Sequence, residues 1–286
     1  MPQGARKSLF FLIAVTILTF AGCGNQNSSE ILTSSPPVRA DRELVLQNTV
    51  NKAANTSKGT AVVKKEKENK EKPLLGFNIC IDAGHGQTKN TKRKEPIAPG
   101  AKIMKAANAS GTSGVSTKIS EESLNLTVSK KLKKALTDKG ASIVMIRETH
   151  NCDLTNVERA KIWNSSGVDL TIRIHGNGSN NSKTSGVLMM VPGDKYIKNK
   201  EMLKKSEQAG KDILAGVLKQ TKAKSLGVVK TSELTGFNWS TTPVVLLEMG
   251  FMTNPQEDKL LNTDSYQNKL VAGIVEGIEK YKRSLK

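Results

Sequence analysis

The chain has 286 residues, a formal net charge of +18 and only 4% aromatic residues. Its three cysteines are too few for a disulfide framework. No nucleic-acid-binding motif accompanies the positive charge, so nucleic acid is not an expected partner.

The first 22 residues predict a secretory signal peptide. Two basic residues precede the apolar stretch 9–20, and small residues follow it. The stretch is shorter than the roughly 20 apolar residues that a membrane span needs, and a buried helix is the alternative. The tetrapeptide 20–23 resembles a bacterial lipobox, which implies that Cys23 carries a lipid and becomes the first mature residue. Simple secretion stays open, because leucine is commoner where Phe20 stands.

Residues 23–73 predict the lipid-anchor cysteine followed by a flexible stalk. Between 24 and 73 there is no aromatic residue, and Asn, Ser, Thr, Lys and Glu dominate. Such a segment buries too little apolar area to offset the entropy of ordering it. The positive charge of an exported protein favours anionic wall polymers or membrane lipid headgroups as partners, with solubility as the alternative. The sequence does not indicate an oligomeric state.

Residues 74–286 predict a single α/β domain. Strand and helix patterns alternate, which favours a mostly parallel twisted sheet flanked by helices on both faces. Predicted strands cover 76–82, 141–147, 169–174, 186–191 and 244–248. Predicted helices cover 121–139, 156–164, 201–222 and a closing helix from 257 onward. The long connection 86–120 is interpreted either as part of a substrate groove or as a mobile insertion.

The first, third and last of these strands place chemically active side chains at their carboxyl ends. His85 and His175 each follow an apolar run and precede glycine, and Glu248 ends the last run. The carboxyl ends of parallel strands meet at one edge of a sheet, where ligands bind, so these groups should converge. Two imidazoles and a carboxylate suit a zinc ion (Zn²⁺) that keeps one position open for water.

Helix phase predicts the third zinc ligand. Glu121 and Glu122 open the first long helix, and Glu121 is in phase with the apolar residues at i+3, i+7 and i+11. Glu122 should rotate toward solvent, so Glu121 is the predicted ligand. Glu248, at the end of a buried strand, should have a raised pKa and should carry a proton from the activated water to the leaving amine.

Several motifs together resemble one enzyme family. They are Asp82-Ala-Gly-His-Gly, Glu121-Glu-Ser-Leu-Asn-Leu, Arg147 with Asp153 and Arg159-Ala, Ile174-His-Gly-Asn, and Leu247-Glu-Met-Gly-Phe-Met-Thr-Asn. In this order they resemble the zinc-dependent N-acetylmuramoyl-L-alanine amidases of bacterial sporulation and cell separation, over about residues 76–284. The resemblance implies a peptidoglycan hydrolase. Its expected reaction is cleavage of the amide between N-acetylmuramic acid and the L-alanine of the stem peptide.

The resemblance also assigns residues. The family's zinc ligands and catalytic glutamate match His85, Glu121, His175 and Glu248. Asn177 occupies a commonly polar position and is expected to contact substrate or support the ligands from outside. Arg173 stands where the family more often has a small or apolar residue, and is expected to contact substrate or an acid. Arg147 is expected to brace the end of its strand.

Two alternatives to the amidase stay open at this point. The first is a non-catalytic or activator-type wall-binding lipoprotein that keeps the fold without turning over substrate. The second is a zinc amidohydrolase that acts on another exported amide. All four chemically active residues are present, which favours the amidase.

Overall fold

The computed structural model describes residues 72–88 and 90–286. The predicted signal peptide, Cys23 and nearly all of the predicted stalk therefore lie outside the described residues. Among the helices in the described part of the chain, none combines the length and the apolar character needed to cross a bilayer.

The centre of the domain is a six-stranded sheet. The strands of the domain are β1 (Asn78–Ala83), β2 (Lys94–Pro96), β3 (Met104–Ala106), β4 (Ser142–Met145), β5 (Leu170–Asn177), β6 (Val187–Pro192), β7 (Ser225–Thr231) and β8 (Val244–Phe251). The order across the sheet is β4-β1-β5-β8-β6-β7. Only β6 against β8 is antiparallel among its neighbouring pairs. The prediction of a mostly parallel sheet is confirmed.

Helices cover both faces of this sheet, as predicted. They are α1 (Glu121–Asp138), α2 (Asn156–Ser165), α3 (Lys200–Thr221), α4 (Thr235–Asn238), α5 (Pro255–Leu261) and α6 (Asp264–Ser284). Side chains alternate along β1, so Ile79 and Ile81 join the large core under α1, α3 and α6. Cys80 points to the opposite face, into a smaller cluster around Trp163 of α2.

The closing helix is divided, which differs from the prediction. Thr263 interrupts it, because its side chain accepts a hydrogen bond from Tyr266 N and starts α6 as a new helix. In α5, Leu260 is 44% exposed and Leu261 is buried. The edge strand β7 and the short helix α4 were not predicted.

The connection 86–120 contains an antiparallel hairpin of β2 and β3 that packs on the α2 and α4 side of the sheet. The Trp239 indole donates to Pro96 O at 2.9 Å, and Asn238 Nδ2 donates to Ile97 O at 3.0 Å. Val157 N of α2 donates to the buried Glu95 carboxylate at 3.0 Å. These hydrogen bonds tie the hairpin to the domain, which argues against a mobile insertion over 94–106.

Candidate active site

Three neighbouring strands bring the predicted site residues to one edge of the sheet. His85 follows β1 by two residues, and His175 lies in β5 directly opposite Glu248 of β8. Gly84 N donates to Ile174 O at 3.0 Å, which ties the turn carrying His85 to the β5 strand. The carboxyl ends of β1, β5 and β8 therefore meet at the place where α/β sheets bind ligands.

The two histidines converge on Glu121 at the start of α1. His85 Nε2 and His175 Nδ1 each lie 3.0 Å from Glu121 Oε1. One possible ligand atom from each of the three residues lies within 4.8 Å of the others. Two imidazole nitrogens and one carboxylate oxygen are the donor types that zinc prefers, so this side-chain cluster fits a catalytic zinc ion.

Burial and charge set the protonation states of the cluster. Burial lowers the pKa of His175 to about 4, which keeps its ring neutral. Burial also acts to lower the pKa of His85, but the neighbouring Glu121 carboxylate outweighs it and raises that pKa. Burial works against ionisation of Glu121 as well, yet the two histidines hold its pKa well below its ordinary range. His175 and Glu121 are thus held as a neutral imidazole and an ionised carboxylate, the forms that bind metal ions, whereas His85 would have to give up its proton to a binding metal ion.

Glu248 lies beside the cluster and has a different electrostatic environment. Burial raises the pKa of its carboxyl to about 8, and the negative charge of Glu121 adds to this effect. The direction agrees with the expectation from its position at the end of a buried strand. Because its pKa is near neutrality, this carboxyl can both accept and return a proton at physiological pH.

Glu122 does not point to solvent, so that prediction was wrong. The residue is only 4% exposed. Its carboxylate accepts hydrogen bonds from the Ser120 and Ser123 hydroxyls at 3.2 and 3.0 Å, and it lies 3.1 Å from His150 Nδ1. The first turn of α1 is covered on two sides, because the segment after β4 packs over it. Helix phase correctly predicted that the two glutamate side chains point in different directions, but it did not predict that Glu122 is buried.

Arg147 and Arg173 are both buried beneath the cluster. Arg147 donates to Ala83 O at 2.8 Å and to Gly84 O at 2.9 Å, at the end of β1, and to Thr149 O at 3.1 Å, just beyond its own strand. Arg173 Nε donates to Asp82 Oδ2 at 2.8 Å, so its side chain pairs with a buried carboxylate.

Asn177 lies at the end of β5 and is half-buried. Its side-chain oxygen accepts from Gly178 N at 2.8 Å, which shapes the turn that leaves the strand. Among its described hydrogen bonds, none is to the His85, Glu121 and His175 cluster.

Sequence reasoning assigned no role to Asp82 and Arg159, although it quoted both within motifs. Arg159 Nη1 donates to the fully buried Asp82 carboxylate at 2.6 Å, and its Nη2 donates to His85 O at 2.7 Å. His85 has a φ of 60°, in the left-handed region that a residue with a side chain enters only when its surroundings hold it there. The sequence feature that could have identified this support for the His85 turn is an arginine at a buried position of α2.

Comparison with known proteins now places the chain. Residues 79–280 match the sequence model of a family described as N-acetylmuramoyl-L-alanine amidase. The chain belongs to this family. In this amidase the matched region runs from β1 to the last turns of α6, which is almost the whole of the described domain.

Individual relatives of this amidase agree with that placement. The germination-specific N-acetylmuramoyl-L-alanine amidase of Bacillus subtilis is 29% identical over 226 residues, covering 73% of this chain and 81% of the relative. The probable cell wall amidase LytH of Staphylococcus epidermidis is 24% identical, covering 73% of this chain and 60% of the relative. The crystal structure of the amidase Ami1 from Mycobacterium smegmatis superposes with a TM-score of 0.67 at 24% identity, covering 74% and 99% of the two chains. That structural likeness concerns the fold.

Proposed function

We propose that this amidase is an exported, zinc-dependent peptidoglycan hydrolase in which His85, Glu121 and His175 hold the metal. Glu248 is the residue that transfers the proton. The substrate is the amide that joins N-acetylmuramic acid to the L-alanine of the stem peptide. The supporting observation is the convergence of two imidazoles on one carboxylate oxygen, each at 3.0 Å, beside a second carboxyl of raised pKa.

The chain's own groups divide the work of hydrolysis. A zinc ion held by the three ligands would polarise the amide carbonyl and make a water molecule more acidic. Glu248 accepts a proton from the attacking water and delivers it to the nitrogen of L-alanine as the carbon–nitrogen bond breaks. The products are the free lactyl carboxyl of the sugar and a stem peptide with a free amino end. Arg147 and Arg159 keep the His85 turn in place by donating to the carbonyls of residues 83–85.

Digestion of purified peptidoglycan tests this function. The full chain is expected to release intact stem peptides with free L-alanine amino ends, detected by mass spectrometry. Incubation with a strong chelator should abolish the release, and added zinc should restore it, because the three proposed ligands hold the metal reversibly.

The products separate the proposed function from its alternatives. Cleavage at any other bond, or cleavage that survives complete removal of metal, contradicts the proposal. Tight binding to the wall with bound zinc but no cleavage points instead to a wall-binding protein of the same fold. Cleavage of a small exported amide without action on peptidoglycan points to the other amidohydrolase.

We further propose that Cys23 carries a lipid that anchors the exported enzyme to the outer face of the cytoplasmic membrane. The net charge of +18 supports anionic wall polymers or lipid headgroups as additional partners. In cells expressing the full chain, Cys23→Ser should move the protein from the membrane fraction to a soluble fraction, since the lipid attachment site is lost. Cys152→Ser, at a free cysteine of the domain, is the matched control and should stay with the membrane. Equal distribution of both variants would contradict the anchor.

A further inference from the structure

The segment 107–120 between β3 and α1 touches the proposed zinc ligands with its backbone. Ala109 O lies 2.8 Å from His85 Nδ1, the ring nitrogen that faces away from Glu121. Thr112 N donates at 3.0 Å to Glu121 Oε2, the oxygen that the two histidines leave free. In return, Glu121 N donates to Thr112 O at 2.9 Å. The outward-facing polar atoms of two proposed ligands are therefore both held by this one segment.

Gly111 lets the segment come this close. Its φ is 80°, and a Cβ atom there would lie 2.6 Å from Glu121 Oε2 and 2.9 Å from His85 Cδ2. The carboxylate of Glu121 is not free to swing away, because His175 Nδ1 and Asn125 Nδ2 also lie at 3.0 and 3.3 Å from its other oxygen. Glycine is thus required at this position both by the backbone conformation and by the space available.

Asp258 of α5 fixes the far part of the segment. It is fully buried, and its Oδ2 accepts from Ser116 N at 2.7 Å and from Thr117 N at 2.8 Å. A charged acceptor that receives several hydrogen bonds holds them more strongly than a neutral one does. Val115 N also donates at 2.9 Å to Met252 O, directly after the strand that carries Glu248. The segment is therefore attached to the chain at the carboxyl end of β8, the strand that carries Glu248.

We propose that the 107–120 segment is the positioning element of the zinc site. The Ala109 carbonyl holds the His85 ring with Nε2 turned inward, and the Thr112 N–H holds the Glu121 carboxylate. Asp258 keeps the segment in place. This inference rests on the proposed function, since it concerns how the same ligands are oriented. Outer hydrogen-bond partners of this kind orient metal-binding histidines, and their loss typically weakens metal affinity about 10–100-fold.

A pair of glycine variants tests the proposal in the full chain. Gly111→Ala should weaken zinc affinity about 10–100-fold, because the new methyl group displaces Glu121 and His85. Gly100→Ala is the matched control. Gly100 has a similar φ of 74°, but a Cβ atom there would meet nothing within 4 Å. It carries the same backbone strain without the contact, so its zinc affinity should equal that of the wild type. Affinity is measured with zinc alone, by competition with a chromophoric chelator.

The outcomes distinguish this inference from the proposed function. If the wild type binds no zinc, the metal-dependent function fails. If the wild type binds zinc and the two alanine variants bind it equally, the positioning role is overturned. Thermal unfolding of the metal-free proteins shows whether Gly111→Ala still folds, since general destabilisation would lower its Tm without zinc.

Asp258→Asn gives a second variant that leaves the glycines unchanged. It should weaken zinc binding and speed amide hydrogen exchange at Ser116 and Thr117, because a neutral amide holds those N–H groups less strongly. Asp264→Asn, at a carboxylate that is 89% exposed, should change neither quantity. Faster exchange at 116–117 with unchanged zinc affinity would remove Asp258 from the positioning element.

Discussion

Replacing Glu248 by glutamine should leave zinc binding unchanged and slow amide cleavage about 10²–10⁴-fold, the usual contribution of a positioned proton-transfer group. Glutamine keeps the size of the side chain but can neither accept the proton of the attacking water nor return it to L-alanine. Glu248 Oε2 is buried and has no hydrogen-bond partner among the described residues, so the substitution breaks no contact of that atom. The measurement is the rate of stem-peptide release together with the zinc content of the purified variant.

Two comparison variants show whether the loss of activity is specific to proton transfer by Glu248. Glu276→Gln lies on α6, with a side chain that is 38% exposed, and should cleave at the wild-type rate. Glu121→Gln removes the carboxylate shared by the two histidines and should lose the metal as well as the activity. If Glu248→Gln also loses zinc, Glu248 belongs among the metal ligands, and the assignment of the proton-transfer role is wrong.

The convergence of His85, His175 and Glu248 was predictable because it depends on strand ends alone. An apolar run buried on both faces has a strong sequence signal, and parallel neighbours bring their carboxyl ends to one edge. The position of Glu121 followed from the helical period. These features repeat along an element, so a single sequence contains enough information to place them.

The surroundings of the ligands were not predictable in the same way. Glu122 is buried because a segment 25 residues further along packs over α1, and helix phase contains no information about that segment. The hydrogen bonds of Ala109 and Thr112 come from the backbone of an irregular connection, where side-chain identity says little about the path. The division between α5 and α6 depends on one capping hydroxyl, that of Thr263, within an otherwise continuous apolar pattern.

Asp82→Asn should destabilise the domain by about 3–5 kcal/mol, the usual effect of removing one partner from a buried ion pair. Asp82 is fully buried and pairs with two guanidinium groups, at 2.6 Å from Arg159 and 2.8 Å from Arg173. Its loss leaves two buried positive charges without their shared partner. The free energy of unfolding is measured by urea denaturation at pH 7. Asp138→Asn, at a carboxylate that is 61% exposed and pairs with Lys134, should change it by at most about 1 kcal/mol.

The pairing of Asp82 with Arg159 and Arg173 also makes the stability of the domain depend on pH. Burial raises the pKa of the Asp82 carboxyl, but the charges of Arg159 and Arg173 outweigh burial and hold the pKa below its ordinary range. A depressed pKa in the folded state stabilises the protein above the pKa of the unfolded chain, near 4, and this contribution is lost as the pH falls. The difference in unfolding free energy between wild type and Asp82→Asn should therefore be about 1 kcal/mol smaller at pH 3 than at pH 7.

This stability prediction also concerns the site, because Arg159 donates both to Asp82 and to His85 O. Without the carboxylate, Arg159 loses the partner that orients it under the strained His85 turn, so zinc affinity should fall along with stability. A variant as stable as the wild type would show that the two arginines find other acceptors. A destabilised variant with unchanged zinc affinity would show that Arg147 and the 107–120 segment hold His85 without Arg159.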